Sequence, residues 1–200
     1  MILTKALVAV VLAFLIWSGI KPYDRLTWFL EVGPVFIGMP LLLLAKKKYD
    51  VTSLLMVLLA GHAILLCTGG KYTYARVPIG FYFQELFNLS RNHYDRFGHL
   101  AQGFIPAILF REWLIRMRLI PSKKLLVAVI IAFCLSFSVF YEFLEWWIAL
   151  ATGEAAESFL ATQGDVWDTQ WDMFLALLGC VTSLLLLSRW HDRQINQLKN

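Results

Sequence analysis

The chain has 200 residues, of which 59% are hydrophobic and 16% are charged, and its mean hydropathy is +0.64. A water-facing domain of this size could hardly stay soluble with that balance, so the composition excludes a soluble enzyme and predicts an integral membrane protein. The formal charge of +4 does not indicate a nucleic-acid partner, because the basic residues cluster at the ends of apolar runs. Cys67, Cys134 and Cys180 lie inside these runs without metal-ligand spacing, which favours packing roles.

The apolar runs predict an all-α protein, a polytopic membrane helix bundle with about six transmembrane helices. A helix needs about 18 or more apolar residues to cross a hydrocarbon core of roughly 30 Å. The predicted spans are residues 3–20, 28–45, 51–68, 95–117, 125–150 and 169–188. The fourth is the least hydrophobic, and its Gly103 is expected to admit a close neighbouring helix. The sequence shows no internal repeat, nucleotide-binding loop or soluble domain, so residues 1–200 are expected to form a single transmembrane domain.

Charge is distributed unevenly between the two sides of these spans. Twelve of the eighteen basic residues, from Lys5 to Lys199, fall on the side that holds both termini. The positive-inside rule therefore predicts that both termini are cytoplasmic. Acidic residues concentrate on the other side, where Glu154 and Glu157 lie in the long connection 151–168.

The other long outer connection, residues 69–94, contains an aromatic segment. Residues 79–89 include Phe81, Tyr82, Phe83 and Phe87 beside Gln84 and Glu85. This pattern predicts a short helix lying at the membrane interface, with its rings at headgroup depth. A lip that grips a substrate is the alternative interpretation.

Histidine and carboxylate residues fall on shared helical faces near the outer ends of two spans. Asp95 and His99 are four residues apart in the fourth span, and Glu142 and Glu145 are three apart in the fifth. Carboxylates at such depth are costly unless they are protonated, paired or bound to a metal.

A third group leads into the last span, where Asp165, Asp168 and Asp172 form a helical stripe. Counting 1.5 Å per residue, His99, Glu145 and Asp172 lie about 5–8 Å below the interface. Three helices thus offer ligand-type groups at one depth, which predicts an outward-facing polar pocket.

An imidazole with several carboxylates can hold a divalent cation such as Zn, Mn or Fe, or can form a proton-sharing acid/base cluster. If this group is a metal site, its ligands would be Asp95, His99, Asp168 and Asp172. Glu142 or Glu145 would then act as the catalytic general base. The structural alternative is that Asp95, Glu142 and Asp172 pair with nearby arginines and hold helices together near water; the candidate partners are Arg76, Arg91 and Arg96.

Three motifs carry a resemblance to a known family. They are Tyr94-Asp95-Arg96-x-x-His99, Tyr141-Glu142-x-x-Glu145-Trp146 and Gly164-Asp165-x-x-Asp168-Thr169-x-x-Asp172-Met173. With them the chain resembles the uncharacterised bacterial inner-membrane family typified by YjdF, domain-of-unknown-function family 2238. The resemblance implies a multi-pass protein of the bacterial inner (plasma) membrane. More distantly, the order of these motifs resembles the VanZ-like membrane proteins associated with glycopeptide resistance.

These observations leave three functions open. The first is a membrane protein with a polar site that binds or processes an envelope or lipid-linked substrate, with a divalent metal. The second is a proton-coupled small-molecule transporter, for which membrane carboxylates that change protonation are the usual parts. The third is a structural or assembly protein without a small-molecule site. The lipid bilayer is the only partner that the composition requires, and no signal indicates an oligomeric state.

Overall fold

A computed structural model of the protein describes residues 2–153 and 157–198. These residues form helices joined by turns and one 3-10 turn, and no strand occurs among them. The helices are α1 (Ile2–Gly19), α2 (Arg25–Lys48), α3 (Ser53–Tyr72), α4 (Pro78–Leu86), α5 (Tyr94–Arg116), α6 (Lys123–Thr152), α7 (Glu157–Leu160) and α8 (Asp168–Gln197). Glu154 and Lys199, which entered the charge pattern above, lie outside the described residues.

Five helices are long and apolar enough to cross a membrane: α1, α2, α3, α6 and α8. Helix α5 is the sixth long helix, with 23 residues, and it is more polar. It packs against α3, α6 and α8, so its polar face meets protein rather than lipid. Its buried polar side chains are Asp95, His99, Gln102, Arg111 and Glu112. The prediction of a polytopic all-α bundle is confirmed.

The helix of the last predicted span, residues 169–188, continues beyond the apolar run, since α8 ends at Gln197. The apolar run ends at residue 188, but tertiary contacts hold the following turns. Arg111 Nη2 lies 2.7 Å from Asp192 Oδ1, and His191 Nε2 lies 3.0 Å from Glu112 Oε2. A boundary drawn from hydropathy alone therefore misses the polar turns that dock on α5.

The connections that follow α1, α3 and α6 meet at one end of the bundle, which we call the site end. Tyr23 N donates to Lys71 O at 2.9 Å, and Asn92 N donates to Gln163 Oε1 at 3.1 Å. The opposite end, with both termini, we call the terminal end. Helix α4 lies at the site end and leaves the aromatic side chains of its predicted interfacial segment exposed.

Two groups of helices form the core. In one, α1, α2 and α3 pack around Val11, Val32 and Cys67; in the other, α5, α6 and α8 pack around Ile130, Cys134 and Cys180. All three cysteines are free and buried, as the prediction of packing roles requires. Contacts between α3 and α5 join the groups.

Glycines let α8 lie directly against α5. A side-chain carbon at Gly103 would collide with the backbone of Ala176, and one at Gly179 would collide with the backbone of Leu100. The prediction that Gly103 admits a close neighbour is therefore confirmed. This contact fixes α8 at the distance that brings its first turns beside the first turns of α5.

Candidate functional site

His99 is surrounded by carboxylates from three helices at the site end. Its Nε2 atom lies 3.6 Å from Asp95 Oδ1 on α5 and 3.9 Å from Asp172 Oδ2 on α8. Its Nδ1 atom lies 3.9 Å from Glu142 Oε1 on α6. We call Asp95, His99, Glu142 and Asp172 the His99 cluster. The fold thus brings together Asp95 and His99 from the first motif, Glu142 from the second and Asp172 from the third.

The His99 cluster is buried, and several of its polar atoms lack a partner. Asp172 is only 2% exposed and His99 only 5%. Among the described residues, Asp95 Oδ2, His99 Nδ1, Glu142 Oε1 and Asp172 Oδ1 have no hydrogen-bond partner. A buried polar atom without a partner costs about 1–3 kcal/mol. The cluster is therefore chemically incomplete without a cation, protons or a ligand.

The aspartate stripe that leads into α8 divides between two environments. Asp168 Oδ1 accepts a 2.5 Å hydrogen bond from Arg91 Nη1, and Arg91 Nη2 also donates to Ala161 O at 3.0 Å. Arg96 pairs with Asp165. These ion pairs tie Asp168 to the loop before α5 and Asp165 to the first turn of α5, whereas Asp172, one turn after Asp168, lies beside His99.

The arginines considered as structural partners contact groups other than Asp95, Glu142 and Asp172, since Arg91 and Arg96 pair with Asp168 and Asp165. Arg76 stacks on the Tyr23 ring, with its guanidinium carbon 4.3 Å from the ring centroid. In residues 2–153 and 157–198, no ion pair joins an arginine to Asp95, Glu142 or Asp172. The arrangement of charges thus leaves the His99 cluster without an arginine counter-ion.

His93, which immediately precedes α5, lies beside these arginines. Burial lowers the pKa of its imidazole, and the positive charges of Arg96 and Arg91 lower it further. Both effects favour the neutral imidazole over the charged form.

Sequence reasoning missed Glu31, which lies on α2 and faces the same site. Glu31 is 4% exposed, and its Oε2 atom accepts a 3.3 Å hydrogen bond from the Tyr141 hydroxyl. The available signal was a carboxylate inside an otherwise apolar span, which is by itself an indication of function. It was overlooked because Glu31 belongs to no spaced pair of acidic or histidine residues.

A cavity of about 450 Å³ adjoins the His99 cluster between the two groups of helices. Its volume falls within the roughly 300–1,000 Å³ that is typical of ligand pockets. Asp95, His99 and Glu145 line it at the site end, together with Glu31. Most of the remaining lining is apolar and extends toward the terminal end.

The comparisons with known proteins agree with this membrane architecture. A family model described as "Predicted membrane protein (DUF2238)" matches residues 3–193. The chain is 49% identical over 183 residues to inner membrane protein YjdF of Escherichia coli (strain K12), a match that covers 92% of this chain and 88% of YjdF. No solved structure matches the chain.

These matches confirm the predicted resemblance to the YjdF-like family and the predicted localisation in the bacterial inner membrane. They do not show the VanZ-like resemblance. The family match covers the elements that carry the His99 cluster, from α5 to the start of α8, and nearly all of the remaining chain. The chain is a multi-pass inner-membrane protein and belongs to the DUF2238 family of predicted membrane proteins.

Proposed function

We propose that this protein binds a divalent cation at Asp95, His99 and Asp172 and uses it to hydrolyse or transfer a group of an envelope or lipid-linked substrate. The observation that carries the proposal is the convergence of these three buried side chains. Each offers a ligand atom, and the three atoms lie within 4.8 Å of one another. Nitrogen and oxygen ligands of this kind suit Zn, Mn or Fe.

The geometry requires little rearrangement to hold such a cation. Metal–ligand distances for imidazole nitrogen and carboxylate oxygen are about 2.0–2.2 Å, so the three side chains would close by small rotations. Asp95 and Asp172 also each keep one oxygen without a hydrogen-bond partner among the described residues, and a cation would compensate their negative charge. It would thus offset the cost of burying carboxylates in this part of the bundle.

The two ring nitrogens of His99 suggest separate roles for its neighbours. Nε2 faces Asp95 and Asp172, whereas Nδ1 faces Glu142. Metal-binding histidines usually donate their second N–H to a carboxylate, which fixes the ring orientation. We therefore assign Glu142 to positioning His99.

Glu145 is the better placed general base of the two predicted glutamates. It lines the cavity, whereas Glu142 does not. A general base must come within hydrogen-bond reach of the proton it removes, and a substrate in the cavity would meet Glu145. Asp168, predicted as a fourth ligand, pairs with Arg91. We therefore leave it out of the proposed ligand set and assign it to supporting the loop that precedes α5.

The chemistry follows from these positions. A cation held by Asp95, His99 and Asp172 would supply Lewis acidity toward a phosphoryl or carbonyl oxygen and would make water a better nucleophile. In hydrolysis, Glu145 would accept a proton from the water as its oxygen bonds to the substrate, and it would return that proton to the group that leaves. Glu145 lines the polar end of the cavity.

Elemental analysis of the detergent-purified protein tests the proposal. After incubation with Zn or Mn and removal of free metal, wild type should retain about one cation per chain, since the three ligands form one site. His99→Ala should lose it, and His93→Ala, a histidine outside the cluster, should keep it. Absence of metal from every sample at monodisperse elution would refute the proposal and favour a cluster that shares protons.

A further inference from the structure

The cavity beside the His99 cluster has a polar end and a long apolar end. The apolar lining includes Leu42, Ala45, Met56 and Leu109, which come from α2, α3 and α5. The charged groups lie at the site end, where Glu31, Asp95, His99 and Glu145 meet, and two further polar residues, His62 and Gln102, line the cavity between its two ends. The cavity therefore has the polarity of a lipid molecule, with a place for a head and a place for a tail.

The cavity also reaches the side of the bundle. Leu41 on α2 lines it, and yet 59% of that side chain is exposed. Pro34 and Gly38, on the same helix, are likewise exposed lining residues. Since α2 is a membrane-spanning helix by length and composition, an opening along it leads into the hydrocarbon region.

We propose that this cavity holds one hydrocarbon chain of a lipid substrate, whose polar end lies against Asp95, His99 and Glu145. The inference rests on the proposed function for the role of that site, and it adds the substrate class. At the apolar end water is the poorer occupant, because a buried water needs two to four polar partners and the side chains of Leu42, Ala45, Met56 and Leu109 offer none.

Binding energy must then come mainly from the head of the molecule. Lipid tails already surround the helices, and moving a chain from lipid into an apolar cavity gains little from the hydrophobic effect. The shape of the cavity selects the hydrocarbon chain, and the polar groups at the site end attract the head of the lipid. A side chain that fills the cavity should therefore exclude the lipid without touching the His99 cluster.

Two glycines of α2 provide such a variant and its matched control. A side-chain carbon at Gly38 or at Gly33 would meet nothing within 4 Å. Gly38 lines the cavity and Gly33 does not. Gly38→Phe thus places a ring in the cavity, and Gly33→Phe places the same ring outside it. Gly38→Leu replaces Gly38→Phe if the larger residue lowers the yield.

Photocrosslinking in vesicles tests the inference. The probe is a phosphatidylglycerol with a diazirine and an alkyne in one acyl chain, mixed into phosphatidylethanolamine and phosphatidylglycerol. Labelled peptides should include the cavity residues Met39, Met56 and Leu109. Gly38→Phe should reduce cavity labelling roughly tenfold, equivalent to about 1.4 kcal/mol, and Gly33→Phe should leave it unchanged. Equal cavity labelling in the two variants, or label confined to exposed residues such as Leu185 and Leu186, would overturn the inference.

Cavity labelling and bound metal are measured independently, so the two proposals can fail separately. Cavity labelling of wild type that is lost in Gly38→Phe, with no metal bound by wild type, would support the lipid site and refute the metal site. Stoichiometric metal without cavity labelling would refute the lipid site and retain the metal site.

Discussion

Asp168 and Asp172 lie one turn apart on α8, but the fold gives them different partners. Asp168 pairs with Arg91, whereas Asp172 faces His99. We expect Asp172→Asn to reduce the bound cation to less than about a tenth of the wild-type amount, because a charged ligand is lost. Asp168→Asn should retain the cation. Isothermal titration with Zn or Mn measures both, and equal losses in the two variants would contradict the assignment.

The two glutamates of α6 allow a second residue-scale prediction. Glu142 faces Nδ1 of His99, and removal of a carboxylate that orients a metal-binding histidine typically weakens metal affinity about 10–100-fold. We expect that loss in Glu142→Gln. Glu145→Gln should bind the cation within about threefold of wild type, since Glu145 is assigned as a base rather than a ligand. Titration of both purified variants provides the measurement, and the reverse order of affinities would exchange the two roles.

Helix α5 depends on glycine for its contact with α8. A side chain at Gly103 meets the Ala176 backbone, which cannot rotate away as a side chain can. Overpacking of this kind typically costs about 1–3 kcal/mol. Gly103→Val should therefore lower the thermal unfolding midpoint in detergent by several degrees, and it should also separate Asp172 from His99 and weaken cation binding.

Gly61 on α3 is the control for that prediction. A side-chain carbon there would meet nothing within 4 Å. Valine also has only a modest intrinsic penalty in a helix interior, no greater than that of the glycine it replaces. Gly61→Val should unfold near the wild-type midpoint. If both valine variants unfold alike, the close approach of α5 and α8 does not limit stability.

The terminal end contains a second buried charge network, which holds α5 on α8 and α3. Glu112 accepts a hydrogen bond from Thr52 Oγ1 at 2.5 Å and lies 3.0 Å from His191 Nε2 and from Arg116 Nε. Removing one partner of such a network leaves uncompensated buried charge, which typically costs about 3–5 kcal/mol. Glu112→Ala should therefore destabilise the protein strongly in thermal unfolding. Asp50→Ala, an exposed carboxylate near the same end, should change the midpoint little.

At the scale of the whole molecule, the charge pattern predicts that the site end faces away from the cytoplasm and that both termini are cytoplasmic. Single cysteines report this orientation, since the native cysteines are buried. Val166, at the site end, is 84% exposed, and Leu119, at the terminal end, is 57% exposed. In spheroplasts, a membrane-impermeant maleimide should label Val166→Cys directly and Leu119→Cys only after the membrane is opened. The reverse pattern would invert the topology.

The sequence alone determined the membrane class, the long helices and the residue types of the site. Hydropathy predicts the membrane-spanning helices, because a segment that crosses lipid must be apolar over a fixed length. It must also form all of its backbone hydrogen bonds within itself, as a helix does. Helical spacing likewise places Asp95 and His99 on one face of α5 before any packing is known.

Only the tertiary structure decided which of the candidates meet. Helical spacing treats Asp168 and Asp172 as equivalent, and the α5–α8 contact at Gly103 separates them by bringing only Asp172 to His99. Glu31 is distant in sequence from the other site residues, and only packing places it beside Tyr141. Likewise, the last turns of α8 are held by contacts with Glu112 and Arg111. Spacing along a helix fixes which side chains share a face, but only packing fixes which faces of different helices touch.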